Sequence, residues 1–375
     1  MNVDGKLGRE TMPFPHNAYY NKDVLKYANL SVADRISQIK DDLTPDEQTA
    51  IESFVLLCSG GTRTNSAFLD FLRWWASAGY NYAALYETII IYKFKCGQSR
   101  FSLRFFEEAV ESGNLSYAFN SPVSHIDHNR EIAHVTTRDG RRYSAKRVVC
   151  TVPLNVLNAV KFVPPLDPLK QEAANLQHVN QCVKVHAEVR DRDMRSWSGV
   201  TYPHNKLIIG MGDGETPAGN THVVFFGSDS NHIHAEENIE ETLDAVKAFG
   251  QEGIERLVSR EFPQEGLIRE ADLKRRCSTT GQRMSLQRVP GTLYYDFAHR
   301  ITVLTKSRVW YRPGMEYKYL EALRKRQGAL LFANSDWAAG GWRSFIDGAI
   351  QAGTEAASIV RSELQGARVY CSEQS

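Results

Sequence analysis

The stretch LFANSDWAAGGWRSFIDGAIQAG, residues 331–353, most narrows the folds open to this chain. It reads as a short apolar strand, a loop, and then a helix. That helix carries Gly348, Ala349, Ala352, Gly353, Ala356 and Ala357 where bulky residues would bury more area. Asn334, Ser335 and Asp336 fall at the carboxyl end of the strand, where open α/β sheets bind ligands. The helix begins near Phe345–Asp347, and its first amides, unpaired and partly positive, suit a carbonyl oxygen or a phosphate. Small residues let a large flat group lie close to the backbone. A tightly packed ordinary helix is the competing reading of the same residues.

The rest of the chain mixes helix and strand periods. Residues 1–30 are irregular. Thr44-Pro45-Asp46-Glu47 is a capping box with proline at the first helical position, so a helix runs through IESFVLLCS and stops at Gly60-Gly61. In NSAFLDFLRWWASAG, Phe68, Phe71, Leu72 and Trp75 recur at helical spacing. A buried face explains that stripe, with a ligand wall as the lesser reading. From near residue 118 the segments SPVSHIDHN, EIAHVTTRDG and RRYSAKRVVCTVP read as strands, and Asp139-Gly140 marks a hairpin. KVHAEVRD, KLIIGMG and HVVFFGS are further strands, 236–258 and 316–327 are helices, and GALLFA is a buried strand. The C-terminal helix is expected to end near Leu364. Residues 259–308 show no clear period.

Several function classes are excluded. The formal charge of the 375 residues is +1, and no long Lys/Arg block occurs, so no nucleic-acid-binding field forms. Of the densest basic runs, Lys274-Arg275-Arg276 and Arg324-Lys325-Arg326, the second reads as the solvated end of a helix. The six cysteines, Cys58, Cys96, Cys150, Cys182, Cys277 and Cys371, are scattered and suggest neither a disulfide framework nor zinc. The polar N-terminus is not expected to act as a signal peptide, and no apolar run reaches the roughly 18 residues of a membrane helix. The expectation is a cytoplasmic chain with no membrane partner. GMGDGE, residues 210–215, imitates a dinucleotide loop, but Glu215 stands in the third glycine position and a loop follows it; a turn is expected. His232 and His234 could place two imidazoles on one side of a strand, but their polar surroundings indicate an exposed loop.

With these residues in view, FANSDWAAGGWRSFIDGAIQAGTEAA resembles the C-terminal FAD-binding motif of flavin amine oxidases, most nearly fungal monoamine oxidases. FPHNAYY, FVLLCSGGT, YKFKCGQSRF, VVCTVPLNVL, HVNQCVKVHAEV, GDGETPAGNTHVVFFG and YRPGM resemble the same family in the same order. The resemblance covers residues 1–258 and 309–364. It implies an α/β (α+β mixed) chain, with an incomplete FAD-binding Rossmann-like domain and a substrate domain of mixed sheet and helices. Residues 1–115 would form the helical part of the substrate domain, 116–160 and 325–365 the remaining FAD-binding domain, and 161–324 the substrate domain. The implied reaction takes two electrons from the C–N bond of a small-molecule amine and passes them through FAD to molecular oxygen, giving an imine, an aldehyde after hydrolysis, and hydrogen peroxide.

Residue by residue, Lys184 matches the family lysine that holds a water at the reactive ring nitrogen of the flavin; a surface lysine on a strand edge is the plain alternative. Trp310 and Phe345 match the aromatic pair flanking the substrate nitrogen. Phe345 and Ile346 match positions whose amides meet the flavin pyrimidine edge, Ser335 and Asp336 lie near the ribityl and pyrophosphate, and Val123 packs against adenine. Val309 stands where some members carry a flavin-linking cysteine, so the resemblance implies noncovalent FAD.

Three departures qualify these expectations. The strand, G-x-G-x-x-G turn and helix that open the family are absent from the sequence, as are its ribose-binding acid and Gly-Gly-Arg stretch. Residues 259–308 do not resemble the family's segment, and AAGGWR is one residue longer than the usual loop. A non-catalytic amine-oxidase-like binding module, holding FAD poorly, is therefore the alternative expectation. A homo-oligomer is left open.

Overall fold

A computed structural model describes residues 1–92, 94, 98–129, 131–216, 218–227, 239–249, 254–257 and 309–372, with 239, 254–257 and 366–372 described through their backbone. His232, His234, Cys96, Cys277, the Lys274–Arg276 run and the whole of 259–308 lie outside the described residues.

The first third is helical: α1 (Val32–Ile39), α2 (Pro45–Ser59), α3 (Phe68–Ser77), α4 (Tyr82–Tyr86) and α5 (Gln98–Glu111). Capping fixes two of the starts. Thr44 and Glu47 exchange hydrogen bonds at the head of α2 as the sequence indicates, and Ser31 and Asp34 do the same for α1, a box the hydrophobic pattern did not advertise. The α2 helix ends where Gly60 turns left-handed, φ 60°, and a Cβ there would lie 2.6 Å from the Asn180 amide nitrogen.

Strands follow. β1 (Val123–Asp127), β2 (Ala133–Thr137), β3 (Arg142–Ala145) and β5 (Lys161–Val163) form one sheet in the order β3-β2-β1-β5, with β1 and β5 parallel. The β2–β3 hairpin turns through Asp139-Gly140, as expected. β4 (Val148–Cys150) pairs in parallel with β11 (Leu330–Phe332). A five-stranded antiparallel sheet takes the order β10-β6-β9-β8-β7, from β6 (Val183–Val189), β7 (Ser198–Val200), β8 (Leu207–Glu215), β9 (Thr221–Gly227) and β10 (Ile254–Leu257). The remaining helices are α6 (Pro168–Leu176), α7 (Ile239–Lys247), α8 (Met315–Arg324) and α9 (Ile346–Ser372). The mixed α/β class expected from the sequence is the one observed.

Four local expectations are corrected. GMGDGE is part of strand β8, not a turn; Gly212 lets the strand pass beneath the Met194 and Arg195 carbonyls, where a Cβ would lie 2.4 Å from each oxygen. The 236–258 helix ends at Lys247, and Ile254–Leu257 pairs with β6, whose edge is available there. α9 continues past Leu364 to Ser372, since no proline interrupts it. The Arg324–Arg326 run is tied down as well as solvated: Arg324 donates to the Trp337 carbonyl at 2.9 Å, and Arg326 pairs with Glu363.

Three cores matter for the site. The first packs α1–α4 against Ile209, Met211, Val224 and Phe226 of β8 and β9, and includes Trp310. The second joins β1, β4, β5 and β11 to α6 and α8, and includes Val309 and Tyr311. The third covers the other face of the five-stranded sheet with α7. Val309, Trp310 and Tyr311 thus alternate between two cores, as an extended chain presents successive side chains to opposite sides.

Candidate active site

The opening stretch folds as a strand, a pinned loop and a helix. The Ala333 amide continues the β11–β4 ladder to the Cys150 carbonyl at 3.0 Å. Asn334 then caps a short turn over Ser335–Trp337: its Oδ1 accepts from the Asp336 amide at 2.9 Å and its Nδ2 donates to the Thr151 carbonyl at 2.6 Å. The loop closes where the Ser344 amide donates to the Ser335 carbonyl at 3.0 Å. Ser344 takes φ +82°, a left-handed conformation that sets the direction in which α9 departs. The AAGGWR segment is held by close contacts: the Gly341 amide donates to His16 Nδ1 at 2.9 Å, and Arg73 donates to the Gly341 carbonyl.

The small residues of α9 divide into two stripes. Ala352 and Ala356 pack on Leu331 and Ala333 of the strand, so they serve ordinary helix–strand packing. Ala349, Gly353 and Ala357 are exposed, and a Cβ at Gly353 would meet nothing within 4 Å. The packing reading accounts for the first stripe; the second leaves its backbone open to close approach.

Behind the loop lies a fully buried charge network. Asp70 Oδ1 accepts from Arg73 at 3.0 Å and from Arg343 at 2.9 Å, Oδ2 accepts from the Tyr311 amide at 2.8 Å, and Arg343 also meets Glu316 at 2.8 Å. Two carboxylates and two guanidiniums leave no formal excess charge. Burial works against the ionised Asp70, yet Arg343, then Arg73 and the Tyr311 amide outweigh it and hold the carboxyl below its usual range. The Tyr311 hydroxyl donates to the Asp336 carbonyl at 2.5 Å, so the network fixes the loop as well as the 309–311 segment.

Trp310 and Phe345 come together through a third ring. Trp74 lies 5.1 Å from Trp310, edge-on, and 4.8 Å from Phe345, centroid to centroid. Trp310 is wholly buried, whereas Phe345 is half-buried. The sequence reading missed Trp74 because it lies off the Phe68/Phe71/Leu72/Trp75 stripe; the sign was the tandem Trp74-Trp75, which a single stripe cannot use. α3 is buried nearly all round, and the ionic pair Asp70–Arg73 is what makes that tolerable.

The other candidates fall around this cluster. Ile346 is the first residue of α9 and half-buried, and Ser335 is half-buried at the start of the loop. Asp336 is buried; burial pushes its carboxyl up to about 6, against the Leu154 amide that donates to it at 3.0 Å. Lys184 is exposed on β6, its Nζ 5.1 Å from the centroid of its cross-strand neighbour Phe226, a residue of the core that holds Trp310. Val123 opens β1, half-buried against the core of Phe332 and Trp337. An apolar cavity of about 460 Å³ opens among α1–α4, lined in part by Ile36, Ile51, Phe54, Phe71 and Tyr82; Phe71 is also a neighbour of Trp310 at 6.3 Å.

Buried donors around the loop ask for acceptors. Trp74 Nε1, Trp337 Nε1, Ser344 Oγ and the Nε atoms of Arg73 and Arg343 have no hydrogen-bond partner among the described residues. Leaving such groups dry costs about 1–3 kcal/mol each. Ser344, at the end of the loop beside Phe345, is the only one of these that is not fully buried, so its hydroxyl is the donor here that a ligand could reach. GMGDGE, being strand, offers no phosphate cradle.

Comparison with known proteins converges on one family. The model for flavin containing amine oxidoreductase matches residues 1–361. A pseudooxynicotine dehydrogenase from Pseudomonas sp is 26% identical over 364 residues, 96% of this chain and 64% of that protein. A nicotine dehydrogenase from Pseudomonas putida is 22% identical over 357 residues, 95% of this chain and 64% of that protein. The chain thus spans a little under two thirds of these curated relatives. A putrescine oxidase structure superposes with TM-score 0.70 at 18% identity, covering 96% of this chain and 74% of the other.

Proposed function

This chain belongs to the flavin-containing amine oxidoreductase family, and from that premise we propose that it oxidises a small-molecule amine at its C–N bond, with FAD held noncovalently. The observation that carries the reading is the Trp310–Trp74–Phe345 cluster at the head of α9, beside a loop rich in unpartnered donors. We also carry over the sequence-based division into 1–115, 116–160 with 325–365, and 161–324, and the nearness to fungal monoamine oxidases, as parts of this proposal. The relatives reported above are bacterial, and they leave that nearness to sequence motifs alone.

The flavin, when bound, supplies the acceptor for two electrons. The chain supplies the rest. Ser335, Asp336, Phe345 and Ile346 would hold the cofactor along the loop and helix start, with Val123 at the adenine end. Val309, buried in the second core, offers no sulfur or other nucleophile to link a flavin. Phe345, with one side still open, is the wall an amine would touch; Trp310 sets that wall from behind through Trp74. The enclosing rings exclude water, which would otherwise compete for the amine nitrogen's lone pair. Lys184, on the sheet face it shares with Phe226, would hold a water through its ammonium protons.

The names of the two bacterial relatives favour a second reading for the final acceptor, an electron carrier in place of oxygen. One experiment separates the two. The purified chain is incubated with FAD, desalted, and given a panel of alkyl and aryl amines, with peroxide release and reduction of an artificial electron acceptor followed in parallel. Peroxide formed in step with amine loss supports oxygen. Dye reduction without peroxide supports a carrier. Retained flavin with neither reaction would rule out amine oxidation by this chain for that panel.

A further inference from the structure

The five-stranded sheet carries a second cluster of chemistry that the proposed function does not use. His186 of β6, His222 of β9 and Asp213 of β8 come from three neighbouring strands. His222 Nδ1 is 3.1 Å from an Asp213 oxygen, and His222 Nε2 is 3.0 Å from His186 Nδ1. The two ring planes differ by only 13° with centroids 5.0 Å apart. That is longer than the roughly 3.5–4 Å of face-to-face contact, so the rings lie nearly edge to edge, with nitrogen facing nitrogen. One ligand atom from each residue can be chosen so that all three lie within 4.8 Å of one another.

We propose that His186, His222 and Asp213 bind a divalent transition-metal ion of the zinc class. Two imidazole nitrogens and a carboxylate oxygen suit zinc, nickel or copper, whereas magnesium and calcium prefer oxygen throughout. Neighbouring ligands on tetrahedral zinc, at about 2.0–2.1 Å from the ion, stand about 3.3 Å apart. The 3.0 Å nitrogen pair is close to that already. Taking up an ion exchanges the His186–His222 hydrogen bond for two metal bonds, and because the three side chains are only partly buried, water can reach the cluster and complete the shell.

The backbone beneath is firmly set. Glu188, cross-strand from His222, accepts from Thr216 at 2.7 Å and from Asn220 at 3.0 Å, and Arg195 pairs with Glu215 at 3.1 Å while donating to the Gly219 carbonyl at 3.1 Å. These bonds pin the β8–β9 hairpin from which Asp213 and His222 project. A bound ion would staple β6, β8 and β9 together two residues from Lys184.

The full chain, stripped with a chelator, is titrated by calorimetry with zinc, nickel and magnesium, and cobalt is added separately for its visible absorption. We expect one saturable site for zinc and nickel, none for magnesium, and cobalt bands of low symmetry. His222→Gln and Asp213→Asn should each weaken zinc at least tenfold while the metal-free proteins melt as the parent does. Should the His222 variant fail to fold, the near-isosteric Asp213→Asn still decides. Absence of saturable zinc binding by the parent, or unchanged zinc affinity in either folded variant, overturns the assignment.

Discussion

The indole Nε1–H of Trp310 donates to the Ala67 carbonyl oxygen at 3.1 Å, just before α3 begins. The Ala67 amide returns a bond to the Tyr311 carbonyl at 3.0 Å, and the Val179 amide takes the Trp310 carbonyl at 2.9 Å. Trp310 is thereby fixed by its backbone on both sides and by its ring, the rigidity that the proposed role at the back of a substrate site would require.

Trp310→Ala should cost about 3–5 kcal/mol, the usual range for removing a buried aromatic ring. Trp310→Phe keeps most of the wall and loses chiefly the bond to Ala67, about 1 kcal/mol. Melting and amine turnover are measured on both. Turnover that falls in the Phe variant beyond its small loss of stability assigns the ring a positioning role; turnover that tracks only the folded fraction assigns it packing alone.

Asp70→Asn should be among the most disruptive single changes in the chain. It leaves Arg73 and Arg343 buried with Glu316 as their one remaining carboxylate, and breaking such a pair costs about 3–5 kcal/mol. The folded-state carboxyl lies below its ordinary value, so its stabilisation is fully present above the unfolded pKa and fades as pH falls through the folded one. Acid denaturation curves test this: the parent should lose stability more steeply than the variant below about pH 4.

What the sequence made legible depended on locality. The α2 capping box, the Asp139-Gly140 hairpin and the strand–loop–helix at 331–353 are each written within a few adjacent residues, and each is present in the structure. Trp74 and the Asp70–Arg343 pair were not legible, because 273 residues of chain separate the partners of that ion pair and no short window contains both. GMGDGE misled for a related reason: Gly212, required where β8 passes beneath Met194 and Arg195, and Gly210, required against the Phe225 ring, look in isolation like glycines of a turn. The His186–His222–Asp213 cluster was hidden likewise, since its members meet only through strand register.

Asp336 should leave a pH signature opposite in sign to that of Asp70. Its folded carboxyl, pushed up to about 6 from 3.8 by burial, binds its proton more tightly than in the unfolded chain. Stability therefore falls as pH rises from about 4 to 6 and levels off above, a total of about 3 kcal/mol at 1.36 kcal/mol per unit. Asp336→Asn keeps an oxygen for the Leu154 amide and has no proton to lose. The variant should match the parent near pH 4 and exceed it at pH 7. Parallel stability curves for the two proteins across that interval would show that Asp336 ionises without penalty.

Lys184→Met tests the one catalytic candidate that stands outside the aromatic cluster. Lys184 is exposed, and β6 lies between β10 and β9 with its side chain turned toward Phe226, so methionine fits the same face and the fold should change by less than about 0.5 kcal/mol. If its ammonium holds a water for electron transfer, the loss should appear in one half-reaction, either reduction by the amine or reoxidation by the acceptor, read separately by rapid mixing. A uniform slowing of both, with weaker flavin retention, points instead to a disturbed sheet. Unchanged rates in both half-reactions reduce Lys184 to a solvated residue whose stem covers Phe226, a role that Met fills equally well because the covering is apolar and the charge plays no part in it.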